Sequence, residues 1–218
     1  YMQSNIEGTV NIFEAARTHK VADIIFASSS SVYGNNPVPW SESQAVDMPI
    51  NPYGASKRAT ELLAFTYHHL YKMNMTMLRY FTVYGPWGRP DMAYFKFADK
   101  IVKGEAIDVY NNGQMKRDFT FIDDIVAGTL AAFDNPKPYE IYNLGNHHSE
   151  ELGKFIALIE KNLGIEAKKN YLPLQPGDFL ENFADTAKAK KDLGFSPKTS
   201  IEEGIKKFVE WYKEYYKI

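Results

Sequence analysis

Residues 23–34 read DIIFASSSSVYG, an apolar run that ends in four consecutive serines. The segment 23–28 has the character of a strand buried on both faces in a parallel sheet. Serine is a poor core residue, and no turn needs it four times. In open parallel sheets the ligand crevice lies beyond the carboxyl ends of the strands, which is where Ser28, Ser29, Ser30 and Ser31 stand. Small hydroxyls also cap strand-end backbone groups. The run alone leaves both readings open.

Outward from this stretch, helix and strand signals alternate. Residues 4–19 place Ile6, Val10, Phe13 and Ala16 on one helical face, with Ser4 and Glu7 spaced as a capping box. A Pro-rich loop leads to Pro52, in the first turn of a long helix, PYGASKRATELLAFTYHHLYK. MTMLRYF (75–81) is a second buried strand, and MAYFKFADKIVKG a helix closed by Gly104. IDVYNNGQMKRDFTFI reads as two strands about an Asn-Gly turn. IDDIVAGTLAAFD is helical and YEIYNLG (139–145) a strand. Residues 149–163 and 200–216 are helical, the last opened by a box from Ser200 to Glu203. This rhythm defines an α/β fold with a parallel sheet.

Composition narrows the function classes. A chain of 218 residues, 44% hydrophobic and 24% charged, can bury one good core and a second small one. A formal charge of -2 gives no electrostatic reason to expect nucleic acid or an anionic membrane as partner. No apolar run is long enough to span a bilayer. The absence of cysteine removes disulfides and thiolate chemistry and agrees with a cytoplasmic location. Asp123-Asp124 fit the first turn of a helix, where acidic groups complement the dipole. The pairs His68-His69 and His147-His148 lack a third ligand at useful spacing, so no metal is expected.

The chemistry concentrates at Tyr53-Gly-Ala-Ser-Lys57. Residues i and i+4 share a helical face, which sets a lysine ammonium beside a phenol. A free tyrosine ionises near pH ~10, and a neighbouring cation favours its phenolate. Alone, Tyr-x-x-x-Lys is a weak pattern. With strand-end serines and an intervening loop it becomes specific.

SSSSVYG, PYGASK, LRYFTVYGPWGRPDM, KRDFTFIDDI and LPLQPGD, in this order, resemble the extended short-chain dehydrogenase/reductase family of nucleotide-sugar enzymes, and within it the UDP-glucuronate 4-epimerases. The resemblance implies an NAD(P)-binding Rossmann-like sheet with a small α/β C-terminal lobe that grips the nucleotide sugar. Residues 1–85 would belong to the first and 86–218 mainly to the second, with about 117–145 returning to the Rossmann domain. One departure stands out. The family's Gly-rich pyrophosphate turn is absent from these residues, and the one early glycine, Gly8, falls within a helix. The sequence therefore reads as a family member without its first βα units, which would hold the NAD adenosine.

The implied reaction oxidises the sugar C4 to a ketone and reduces it from the other face. This needs a hydride acceptor (NAD), a base for the 4-hydroxyl and a hydrogen-bond donor at the carbonyl. By resemblance Tyr53 is the base, Lys57 its neighbouring cation and ribose contact, and Ser29 the donor. Ser28, Asn5 and Phe81 fall on the cofactor side, and Ser30 and Ser31 on the sugar side. Related dehydratases and decarboxylases carry carboxylates after the catalytic Ser/Thr. Ser30-Ser31 supply none, which favours epimerisation. Thr82 stands where galactose-type epimerases have Asn. Arg89 is the candidate for the uronate carboxylate, because a guanidinium fork matches it; its alternative is a solvated loop residue. Arg117 is assigned to the diphosphate or else to an ion pair with Asp118, Tyr110 to the uracil or the core, and Asp178 to the ribose or a turn. Helices 4–19 and 52–71 correspond to those that pair in the family's homodimers.

Two further readings stay open, an epimerase of a neutral UDP-hexose and a non-catalytic nucleotide-sugar-binding fragment. With no Gly-rich turn, these 218 residues should bind UDP but not hold NAD tightly. Calorimetric titration with each ligand separates the two halves of this expectation, and micromolar NAD affinity would overturn the second.

Overall fold

The computed structural model describes residues 1–218. A π-type turn (Met2–Glu7) leads into α1 (Gly8–Thr18), β1 (Asp23–Ser29) and a 3-10 turn at Ser30–Tyr33. Then come α2 (Pro52–Tyr71), β2 (Asn74–Tyr80), β3 (Thr82–Tyr84), α3 (Ala93–Val102) and β4 (Ala106–Tyr110). The chain continues through β5 (Lys116–Arg117), β6 (Phe119–Phe121), α4 (Ile122–Asp134), β7 (Tyr139–Leu144) and β8 (Glu150–Glu151). It ends with α5 (Leu152–Leu163), β9 (Lys168–Leu172), α6 (Ala187–Leu193) and α7 (Ile201–Tyr216).

Strands β1, β2 and β7 form a parallel sheet in that order, with Ser28 beside Arg79 and Ser29 beside Tyr80. Successive residues of β2 serve opposite faces. Met75 and Met77 pack with Phe13, Ala16, Ala64 and Tyr67 of α1 and α2. Leu78 packs with Ile125, Tyr142, Leu144 and Leu193 on the other side. The largest cluster, 21 buried residues, lies wholly between Tyr84 and Tyr212, so the second half of the chain carries a core of its own. It sits between α3, α5 and α7 and the β4–β9 pair. Between the two cores, Val32, Tyr33, Trp40, Phe81 and Ala184 form a smaller cluster under the strand ends.

The structure corrects four local expectations. β1 is not buried on both faces: Ile24, Ile25 and Phe26 are only half-buried, because β1 pairs with β2 alone and its other edge is open. Ser4 caps no helix, since the π-type turn has already begun at Met2. The strands about Asn111-Asn112-Gly113 do not pair with each other. Three successive positive φ angles there turn the chain out of the first strand's plane. β4 instead pairs with β9, β5 with β8 and β6 with β3. The expected helix 149–163 starts at Leu152, because Glu150 and Glu151 pair with β5. α6 also packs on β7, so residues beyond 145 return to the sheet. No helix is long and apolar enough to cross a membrane.

Candidate active site

At the carboxyl ends of β1 and β2 the chain forms three adjoining chambers. The middle one, about 450 Å³, is lined by Ser29, Ser30, Ser31, Tyr53, Thr82, Arg89, Arg117 and Asp178, among others. It shares Ser29, Tyr53, Phe81 and Arg89 with a chamber of about 410 Å³ floored by Val83, Tyr84 and Ile122. On its other side it shares Thr82, Arg117 and Asp178 with a chamber of about 400 Å³ that adds Tyr110, Phe119 and Gln175. Residues scattered from 29 to 178 thus meet in one cleft.

Local chemistry explains how each side chain arrives there. β1 ends because Ser29 caps the turn that follows, its hydroxyl accepting the Ser31 amide at 3.1 Å. α2 begins at Pro52 with Asn51 as cap, whose carbonyl Oδ1 accepts the Gly54 amide at 2.7 Å. Gly54 is needed there: a Cβ would collide with the carbonyl oxygen of Ser31, so only glycine lets the helix start lie against the serine turn. Lys57, one turn on, donates from Nζ to the Ala27 carbonyl at 2.9 Å and lies 5.9 Å from the Tyr53 ring centre. Burial pushes its ammonium below the ordinary lysine pKa.

A turn further, Glu61 is wholly buried. Its carboxylate accepts both Nε and Nη2 of Arg79 at 2.8 Å, and the Ser28 hydroxyl at 2.6 Å. Burial alone would raise the Glu61 carboxyl, but the Arg79 fork, Ser28 and Arg58 outweigh it and hold it below the ordinary range. α2 therefore grips β1 at two successive residues, through Lys57 on Ala27 and Glu61 on Ser28.

Three of the expected residues have side-chain partners of their own. Ser28 donates its hydroxyl to Glu61 and still lines the chamber of about 410 Å³ beside Ser29, which also borders the middle chamber. Asn5 lines none of the three chambers. Its Nδ2 donates to Ser56 at 2.8 Å, and Ser56 in turn donates to the Tyr53 carbonyl. Arg117 does not pair with Asp118 but with Asp178, at 2.6 Å, and Asp178 also accepts the Phe179 amide. Arg89 is about three-quarters exposed and loosely held, 3.4 Å from Asp91. Asp91 and Asn182 of the middle chamber went unread in the sequence, as did Glu61 and Arg79. Arg79 did carry a signal: a charge inside a buried strand requires a partner.

A parallel sheet whose strand ends bring Ser29, Tyr53 and Lys57 together defines a short-chain dehydrogenase/reductase type of site. Residues 1–145 match the NAD dependent epimerase/dehydratase family, and the chain belongs to it. An uncharacterized protein of Methanocaldococcus jannaschii is 54% identical over 98% of this chain and 66% of its own length. A UDP-glucuronate 4-epimerase of Thermodesulfobacterium geofontis is 44% identical over 98% of this chain and 66% of its own. Among solved structures, a UDP-glucuronic acid 4-epimerase from Bacillus cereus, in complex with UDP-glucuronic acid and NAD, superposes with a TM-score of 0.93. It is 35% identical and covers 99% of this chain, which matches 69% of that one. The chain thus spans about two thirds of the length of these relatives.

Glu61→Gln keeps the shape of the side chain but leaves the Arg79 guanidinium buried without a counter-charge. Denaturant unfolding should show a loss of about 3–5 kcal/mol at neutral pH. Ser28→Ala leaves the ion pair intact and should cost only about 1 kcal/mol. Because the Glu61 pKa is lowered in the fold, its contribution is present above the ordinary value of 4.5 and is lost as pH falls through the lowered one. The gap between wild type and Glu61→Gln should therefore narrow below pH 4.5. A gap that stays constant into strong acid would contradict this account.

Proposed function

We propose that this chain carries the catalytic and sugar-binding parts of an NAD-dependent UDP-glucuronate 4-epimerase. The observation that carries the reading is the middle chamber. There Tyr53 and Ser29 line one chamber together with Ser30, Ser31, Thr82, Arg89 and Arg117. Tyr53 takes the proton of the sugar 4-hydroxyl, Lys57 sets a cation beside its ring, and Ser29 donates a hydrogen bond to the oxygen as it becomes a carbonyl. NAD, when bound, supplies the acceptor and donor of the C4 hydride. The chamber of Ser29, Tyr53, Phe81, Val83 and Ile122 fits its nicotinamide end, apolar on one side and hydroxyl-lined on the other.

The two arginines separate anionic from neutral sugars. Arg117 is already neutralised by Asp178 and serves the nucleotide end, beside Tyr110. Arg89 holds Asp91 only loosely, so its guanidinium is the one left to accept a uronate carboxylate. A 4-keto uronate is a β-keto acid prone to lose carbon dioxide. Ser30 and Ser31 bind without supplying a carboxylate that could move protons at C5, which agrees with epimerisation. The same reading carries a cytoplasmic location and a homodimer, the latter supported by Leu62, Phe65 and Leu70, which α2 leaves on solvent.

The test is made in the full-length polypeptide with NAD and UDP-glucuronate, following UDP-galacturonate. Tyr53→Phe should retain UDP-sugar binding and lose turnover by about a hundredfold or more. Arg89→Ala should weaken UDP-glucuronate use by about tenfold and UDP-glucose use far less. Near-normal turnover in the first variant overturns Tyr53 as base, and equal losses on both sugars overturn Arg89 as the carboxylate contact.

A further inference from the structure

Arg89 lies in the loop Gly85-Pro-Trp-Gly-Arg89, and little around it fixes its direction. Its guanidinium is about three-quarters exposed, with Asp91 at 3.4 Å and the Met92 sulfur at 3.2 Å as its side-chain partners. What holds the loop is two residues earlier. Trp87 has φ +61°, a left-handed conformation that disfavours any residue with a Cβ. Trp87 lines the chamber of about 410 Å³, and its ring lies against α7, 5.4 Å from the Trp211 ring centre and 5.3 Å from that of Tyr215. Trp211 and Tyr215 stack on each other at 5.3 Å, and Trp211 packs against the large C-terminal core. On the loop's other side Gly88 lies so close to the Tyr94 hydroxyl that a Cβ would collide with it. The loop is pressed onto α3 at Gly88 and pulled onto α7 at Trp87, immediately before Arg89.

A strained backbone persists only where surrounding contacts outweigh it, and here three packed aromatic rings supply them. We infer that Trp87, clamped on Trp211 and Tyr215, is a positioning residue that aims Arg89 into the sugar chamber and thereby sets the preference for an acidic sugar. The inference rests on the proposed uronate reading of that chamber. It makes α7, whose residues line none of the three chambers, part of the specificity apparatus.

Trp87 is three-quarters exposed, so its replacement leaves the cores intact. Calorimetric affinities for UDP-glucuronate, UDP-glucose and UDP are compared in wild type, Trp87→Ala, Trp87→Phe, Arg89→Ala and the double variant Trp87→Ala/Arg89→Ala. Wild type should favour UDP-glucuronate over UDP-glucose by about tenfold, the worth of one charge-assisted pair. Trp87→Ala should bring the ratio close to that of Arg89→Ala while UDP affinity stays unchanged, and Trp87→Phe should retain most of the preference. In the double variant the second change should add nothing, because Trp87 acts through Arg89. A full preference in Trp87→Ala, or an equal loss for all three ligands, overturns the clamp alone. A wild-type chain that binds both sugars equally overturns the uronate reading and the clamp with it.

Discussion

The geometry of the cleft depends on one buried ion pair, Glu61 with Arg79. The two side chains are 0% and 1% exposed and meet fork to fork. Taking both charges out of water costs several kcal/mol per ion, and an apolar pair of similar volume is often as stable or more so. Net stability therefore gives no reason to keep it. Position does. Glu61 comes from α2, Arg79 from β2, and the Ser28 hydroxyl that completes the carboxylate from β1. Tyr33, from the serine turn, covers the guanidinium at 4.8 Å and bonds through its hydroxyl to Asn143 of β7. A hydrophobic contact would let α2 slide along the sheet, whereas these directional bonds allow one register. In that register Tyr53, two turns up α2, faces Ser29.

A second buried carboxylate joins the two halves of the chain. Asp118 accepts the amides of Ala184 at 3.0 Å and Asn146 at 2.5 Å, and the Thr120 hydroxyl at 2.9 Å. Asn182 closes the ring by accepting the Asp118 amide. Burial pushes the Asp118 carboxyl up, and no cation pairs with it, so donors alone must support its charge. The segment 182–184, the loop after β7 and the β5–β6 turn are thereby fixed together. Arg117 precedes Asp118 directly, and Asn182 lines the middle chamber. The Arg117 end of the cleft is held from the C-terminal lobe, as the Tyr53 end is held from the sheet.

Much of this was legible in the residues. Period and caps placed α2, α7 and the strands of the parallel sheet, because each is decided by local pattern and by burial within its own length. The serine run and Tyr53-Gly-Ala-Ser-Lys57 pointed to the cleft, since a row of hydroxyls and a Tyr-Lys pair have little use in a core. What was not legible depended on partners distant in sequence. The Asn-Gly turn looked like a hairpin because the competing strand for β4, Lys168–Leu172, lies 58 residues past Tyr110 and is mostly exposed. The bond from Ser28 to Glu61 was not legible, because Glu61 lies 33 residues further along the chain. The alternative ion pair of Arg117 with Asp118 does not form, because Asp118 is turned to the amides of Asn146 and Ala184, and Asp178 meets Arg117 instead.

The two arginines of the cleft differ in a way that gives its ends different mechanics. Arg117 is largely buried and held at once by Asp178 and the Lys116 carbonyl, so its position is set before any ligand arrives. On the proposed reading a diphosphate would meet a guanidinium already desolvated, and would exchange with or share a carboxylate partner. That exchange of anion for anion carries little new desolvation cost. Arg89 stands in water, where its attraction for a carboxylate is screened. On the proposed reading the Arg117 end is suited to capture and the Arg89 end to discrimination. A group discriminates only if it is aimed, and Arg89, with no buried bond of its own, takes its aim from the backbone that carries it. On the proposed reading, the aromatic cluster of Trp87, Trp211 and Tyr215 thereby governs which sugar is read beside Tyr53.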